Sequence, residues 1–132
     1  MILFKPAKGP VEEFWWARFL ISGEEHGWIN SSIKEAGKDI RIIGTDVTEW
    51  KERSSHILTI EMITSVFDIG IETLIIGNGI YGTVNCSSKV KNYIQKRGIK
   101  KVLVLNIPQA CKIYNELFHN KVKVAMLTHG IC

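Results

Sequence analysis

The 132-residue sequence predicts an α/β domain layered on a mixed central sheet. A parallel βαβαβ core fills the C-terminal two-thirds, and antiparallel strands stand at the N-terminus. Three observations lead there. As far as Trp50 the apolar residues come in short strand-like pieces; after Ser54 the period turns helical; from Ile60 onward helical and strand-like segments alternate. Such alternation implies right-handed crossovers and a mainly parallel sheet covered by helices.

The opening third reads as strands at Phe14–Ile21, Trp28–Ile33, Ile40–Ile43 and Val47–Trp50, rich in aromatic and β-branched residues. Polar and glycine-bearing breaks at Ser22-Gly23-Glu24-Glu25, Glu35-Ala36-Gly37-Lys38 and Gly44-Thr45-Asp46 separate them. Closely spaced short strands favour an antiparallel meander. They supply either extra strands on one edge or a small antiparallel layer.

Thr59 is placed to cap a helix with apolar positions Ile60, Ile63, Val66 and Phe67, and Gly70 to end it. Leu74-Ile75-Ile76 is an apolar run closed by glycines, the pattern of a buried strand. Ser87 or Ser88 opens the next helix and Gly98 stops it. Lys101–Leu105 follows as a strand, and Pro108 suits the first turn of a third helix. Its stripe of Ala110, Ile113, Tyr114, Leu117 and Phe118 follows i, i+3, i+4, i+7, i+8 without a miss. Lys123–Thr128 is the last strand.

A length of 132 residues suits one domain, 1–132, and 45% apolar with 23% charged residues is a globular composition. No run approaches the roughly 20 apolar residues of a membrane-spanning helix, and the first ten residues lack the apolar stretch of a secretory signal. No membrane association is therefore expected. Cys86, Cys111 and Cys132 are too few and too scattered for a disulfide framework, so a reducing, cytoplasmic setting is expected. No Cys-x-x-Cys or His-x-x-x-His spacing points to a metal, and no cofactor is expected. Residues 1–82 carry 8 basic and 12 acidic side chains, whereas residues 83–132 carry 9 basic ones and only Glu116 as an acid.

Gly77-Asn78-Gly79-Ile80-Tyr81-Gly82 matches G-x-G-x-x-G after a strand. A dinucleotide site needs its helix to begin inside that motif and an acidic residue to end the next strand. Here the best cap, Ser87, lies five residues further on, and the next strand ends in Asn106. The first reading is thus a tight turn with positive φ, and the second a small-ligand loop. Cys86-Ser87-Ser88 stands where free backbone N–H groups and a helix dipole would favour an anion and activate a thiol. The plainer reading of Cys86 is packing beside two capping serines. His129 and Cys132 are three residues apart, but nothing acidic nearby in sequence orients the imidazole. Trp50 is expected to close one end of the core with its indole N–H at the surface, and His56 either to bond the polar connection Lys51–Ser55 or to line a cleft. Lys89, Lys91, Lys96, Arg97, Lys100 and Lys101 read as the wet face of a covering helix. Without aromatic stacking groups or a reading helix, nucleic acid is not expected as a partner.

Val47-Thr48-Glu49-Trp50, His56, Leu74–Gly79 with Tyr81-Gly82, Val90–Ile94, Ala110 with Tyr114-Asn115, and His129-Gly130-Ile131-Cys132 occur in a familiar order and spacing. From Gly27 onward the chain resembles the small domain family named after the methanogen protein MTH-nine-three-eight. Its relatives include an adipogenesis-associated domain protein and a mitochondrial assembly factor for respiratory complex I. The resemblance implies a mixed-sheet α/β fold, no assigned enzymatic activity, and a proposed pocket at Gly77, Asn78 and Gly79 with Trp50 and His56 as neighbours. Asn78 and Cys86 depart from the family pattern, and residues 1–26 form a poorly matched extension.

Together these readings predict a binding or assembly module. It would hold a protein partner or a second copy, with the exposed apolar residues around Trp15 and Trp16 as the contact surface. The alternative is an enzyme or small-molecule binder. It would use an anion-favouring pocket after Leu74–Ile76 made of Gly77, Asn78, Gly79, Tyr81, Ser87, Ser88, Trp50 and His56, with the basic face close by.

Overall fold

The N-terminal strands divide between both expected positions. The computed structural model describes residues 2–6, 8–15, 18–26 and 39–130. Strands β1 (Ile2–Phe4), β2 (Val11–Trp15), β3 (Arg18–Ile21) and β4 (Glu24–His26) form an antiparallel sheet of their own in the order β1-β2-β3-β4. Strands β5 (Ile40–Ile43) and β6 (Asp46–Glu49) instead join β7 (Thr73–Gly77), β8 (Lys101–Leu105) and β9 (Val124–Thr128) in a mixed sheet of order β6-β5-β9-β7-β8. The strand expected at Trp28–Ile33 lies outside the described residues.

Two sequence expectations need correction. The run Phe14–Ile21 is not one strand but parts of two, β2 and β3, with Phe14 paired to Phe19 and Trp15 to Arg18. No Gly, Pro, Asn or Asp marks the break, yet folding back buries both Phe14 and Phe19 completely, their rings 4.7 Å apart. The helix expected after Thr59 is a pair of 3-10 turns, Ile60–Met62 and Thr64–Val66, and the Thr59 side chain makes no capping bond. The apolar positions 60, 63 and 66 repeat every three residues, which suits a 3-10 turn as well as an α-helix. Thr64, Ser65 and three β-branched apolar residues hold little helix propensity to decide otherwise.

The remaining helices follow the pattern. In α1 (Ser88–Lys96) the Ser87 hydroxyl accepts from the Val90 N–H at 3.2 Å. In α2 (Ile107–His119) the Asn106 side chain accepts from the Gln109 N–H, with Pro108 in the first turn. Strands β8 and β9 flank β7 on opposite sides and both run parallel to it. Two right-handed crossovers therefore place their helices on opposite faces. Val90 and Ile94 of α1 pack with Leu74, Ile76 and the 3-10 turns. Ile107, Ala110, Cys111 and Tyr114 of α2 pack with Ile75, Met126 and the buried residues Val11, Phe14, Phe19 and Ile21 of the N-terminal sheet. The carboxyl ends of β7 and β8 thus lead to opposite faces, the arrangement at which open α/β sheets form a crevice. Among the described residues no helix is long and apolar enough to cross a membrane.

Candidate functional site

At that carboxyl end Gly77 has no room for a side chain. A β-carbon there would sit 2.0 Å from Thr128 Oγ1 of the neighbouring strand. The Gly77 carbonyl accepts from the His129 N–H at 2.9 Å, which holds the two strand ends in register. The chain then enters a loop pinned by Asn78 N–H to Leu105 O, Val84 N–H to Asn78 O and Ile107 N–H to Gly79 O. Gly79 has φ +102°, a conformation that L side chains rarely adopt. The Asn78 amide packs beneath Gly82, and its Oδ1 is buried with no hydrogen-bond partner among the described residues.

A second loop is stitched to the first: Asn85 N–H donates to His56 O at 2.6 Å and Leu58 N–H to Asn85 O at 2.9 Å. Beneath both lies a buried polar cluster. Asp39, 8% exposed, accepts from His129 Nδ1–H at 2.8 Å and from Gly130 N–H at 3.1 Å on one oxygen, and pairs through the other with Arg53 Nε. Arg53 Nη1 also donates to Ser55 O, and the His56 ring meets the His129 ring edge-on at 5.3 Å. Asp39 is the acid that His129 lacks in its own stretch of sequence. The antiparallel pairing of Ile40 with Thr128 brings it there across 90 residues. Neither Asp39 nor Arg53 stands out in the sequence, because the signal that joins them to His129 is strand register rather than motif. With its carboxylate engaged by three donors, Asp39 serves to clamp the end of β9 to the 50–56 connection.

The other expected site residues scatter. Trp50 is 2% exposed, and its indole N–H donates inward to Met62 O at 2.8 Å, not at the surface as expected. The carbonyl left free by a 3-10 turn provides that buried partner. Ser87 is occupied as a helix cap, Ser88 begins α1, and Tyr81 is 73% exposed. Cys86 packs with Val84, Val90 and Ile94. Burial pushes its thiol up, and the smaller effect of Lys91 acts the other way. That direction is opposite to the one a reactive thiolate needs. Cys132 and Trp16 lie outside the described residues. Trp15 is not a bare apolar surface: the Arg18 guanidinium stacks 3.5 Å over its ring, and its indole donates to Glu13. Among the described residues, no group of three or more His, Cys, Asp and Glu is arranged to hold a metal ion.

The charge also falls elsewhere than expected. Lys89 and Lys91 stand near the start of α1, but the helix carries the chain back to the amino end of the parallel strands. There Lys96, Arg97, Lys100 and Lys101 collect with Lys121 and Lys123, which precede β9. The basic end of the molecule is therefore opposite the glycine loop.

The family model described as protein of unknown function (DUF498/DUF598) matches residues 21–129. Among solved structures, the chain is similar to a conserved hypothetical protein from Pyrococcus horikoshii OT3, at 22% identity and a TM-score of 0.74, covering 92% of this chain and 98% of that one. It is similar to an outer membrane protein from Bartonella henselae, at 17% identity and a TM-score of 0.72, covering 97% and 99%. It is also similar to MT938, at 20% identity and a TM-score of 0.69, covering 92% and 97%. The last is the fold for which the family resembled in sequence is named, and all three likenesses show the same fold.

Proposed function

The chain belongs to the DUF498/DUF598 family, and from that premise we propose that it is a binding module that docks a protein partner through the loops at the carboxyl ends of β7 and β9. One observation carries this reading. Ile57, 67% exposed, and Tyr81, 73% exposed, are the most exposed large hydrophobic side chains among the described residues, and they lie on the two loops that are bonded together there. Exposed aromatic and branched side chains on a rigid base are what interface anchors require, because little ordering entropy is lost on binding. The Asp39–His129–Arg53 cluster supplies that base. The free, buried thiols of Cys86 and Cys111 fit the cytoplasmic setting that this reading assumes.

The test is native purification followed by sizing and mass spectrometry, with Ile57→Asp and Tyr81→Asp as variants. The expected result is a stoichiometric protein partner, or a second copy, that each variant loses while its melting temperature stays within about 2 °C, as for surface substitutions. A free monomer in every preparation, or a partner retained by both variants, overturns the reading.

A second reading, a small-molecule binder at the same end, is favoured by the Asn78 amide. Its Oδ1 is a buried acceptor without a donor, a state costing about 1–3 kcal/mol that a ligand hydroxyl or amine would relieve. A carboxylate or phosphate ligand bearing such a donor should raise the melting temperature of the wild type, since a ligand of the folded state stabilises it. It should do so no longer in Asn78→Leu.

A further inference from the structure

At the amino end of the parallel strands a groove of about 350 Å³ opens where the two cores meet the strand ends of β5 and β9. That volume lies inside the roughly 300–1,000 Å³ range of small-molecule sites. Ile43 and Ile71 line it from the core beneath α1, and Phe118 and Val124 from the core beneath α2. Ile69, 50% exposed, forms part of the wall. The lining is mostly apolar, as in small-molecule sites.

The rim is as distinctive as the floor. Lys121 and Lys123 both line the groove, and neither ammonium has an ion-pair partner among the described residues. The surrounding end of the molecule holds Lys96, Arg97, Lys100 and Lys101 as further cations, against Asp46, Asp68 and Glu72. Asp68 and Arg97 pair and cancel, while Glu72, which accepts from the Lys123 backbone N–H, and Asp46 keep their charges against the five lysines Lys96, Lys100, Lys101, Lys121 and Lys123. The open side of the trough therefore carries a net positive field. On the far side, Gly44 leaves open space where a β-carbon would stand, so the trough is not closed off at the β5–β6 turn.

We propose that this groove binds an amphipathic anion, a medium-chain acyl carboxylate, with its tail along Ile43, Ile71, Phe118 and Val124 and its carboxylate between Lys121 and Lys123. An apolar trough accepts the tail by removing methylenes from water, and the unpaired ammonium groups select the sign of the head. The site is separate from the loop face discussed above and does not depend on it.

The experiment titrates the full chain with hexanoate, octanoate and decanoate, and with decyltrimethylammonium as the cationic control, all below their micellar concentrations. Heat of binding and backbone amide shifts are the readouts. The expected result is saturable one-to-one binding with amide shifts at residues 43–44, 69–71 and 118–124. Affinity should rise about three- to fourfold per methylene until the groove is filled. The cationic control should bind at least tenfold more weakly than decanoate. Lys121→Glu with Lys123→Glu, both at exposed positions, should lower decanoate affinity at least tenfold without changing the melting temperature. Several results would overturn the proposal: no saturable binding, equal binding of the cationic control, an unchanged double variant, or shifts confined to the 78–86 loop. A concentration-dependent dimer that perturbs the groove residues in ligand-free protein would also overturn it, by placing a second copy there instead.

Discussion

Two buried polar clusters tie distant parts of this chain together by different chemistry. Between α2 and the N-terminal sheet, the Asn115 amide is complete. Its Oδ1 accepts from Val11 N–H at 3.0 Å, and its Nδ2 donates to Lys8 O and Val11 O at 3.0 and 2.9 Å. At the carboxyl end of β9 the clamp is ionic, with Asp39 between Arg53, His129 and the Gly130 N–H. An amide with both N–H donors and its oxygen engaged holds geometry without charge. A buried carboxylate makes each of its partners depend on it, since removing one member leaves the others desolvated and unpaired. Only the ionic clamp stands under an exposed loop face with an unsatisfied amide beside it. The contrast separates a seam of the architecture from the base of the loop face proposed above as a docking surface.

The largest effect should come from Asp39→Ala, which leaves the buried His129 imidazole and the partly buried Arg53 guanidinium without their carboxylate. A loss of about 3–5 kcal/mol is expected, or roughly 10–20 °C in melting temperature for a domain of this size, read by urea and thermal unfolding. Asn115→Ala should cost less, about 2–3 kcal/mol, because the groups it strands are neutral backbone atoms. If the order of the two losses is reversed, the distinction drawn between the clusters is wrong.

A smaller effect sharpens the comparison through pH. Around Asn115 the neighbouring Cys111 thiol and Tyr114 phenol are both pushed up by burial, with the Tyr114 hydroxyl donating to Gly44 O at 2.6 Å. A folded-state value above the unfolded one means that stability is complete below the unfolded value and is lost as pH rises toward the folded value. The decline should therefore begin near pH 9, the ordinary thiol value. Each group contributes at most about 1.4 kcal/mol per pH unit. Cys111→Ala should flatten the slope between pH 9 and 10.5 in urea titrations. An unchanged slope would show that the thiol ionises freely and that this half of the molecule is less tightly packed than its burial indicates.

What the sequence makes legible follows from the range over which each feature is encoded. Helix α2, with its unbroken apolar stripe and its Asn106-Ile107-Pro108 entry, and the three parallel strands are local patterns; they fold as their residues predict. The Gly77 turn is legible as a turn, though its cause, Thr128 lying against the backbone, is not local. The β2–β3 hairpin escapes because its break carries no turn residue. The 3-10 turns escape because a spacing of three serves two helix types. His129 is visible as a candidate, but its meaning is not. Asp39 and Arg53 acquire their roles only when β5 pairs with β9, through residues more than 80 positions apart in sequence, as Ile40 with Thr128.

The position of β9 has a consequence for how the molecule comes into being. This strand, among the last residues of the sequence, lies in the middle of the mixed sheet with β5 on one side and β7 on the other. A growing chain that has reached only residue 123 lacks the strand that pairs β5 with β7, so both of those strands present an unpaired edge. Synthesis proceeds from the N-terminus, so the mixed sheet cannot close until residues 124–128 have been made. During that interval the two unpaired edges are targets for chaperones and for mispairing. The same insertion that closes the sheet also delivers His129 to Asp39, so completion of the fold and assembly of the ionic clamp are one event.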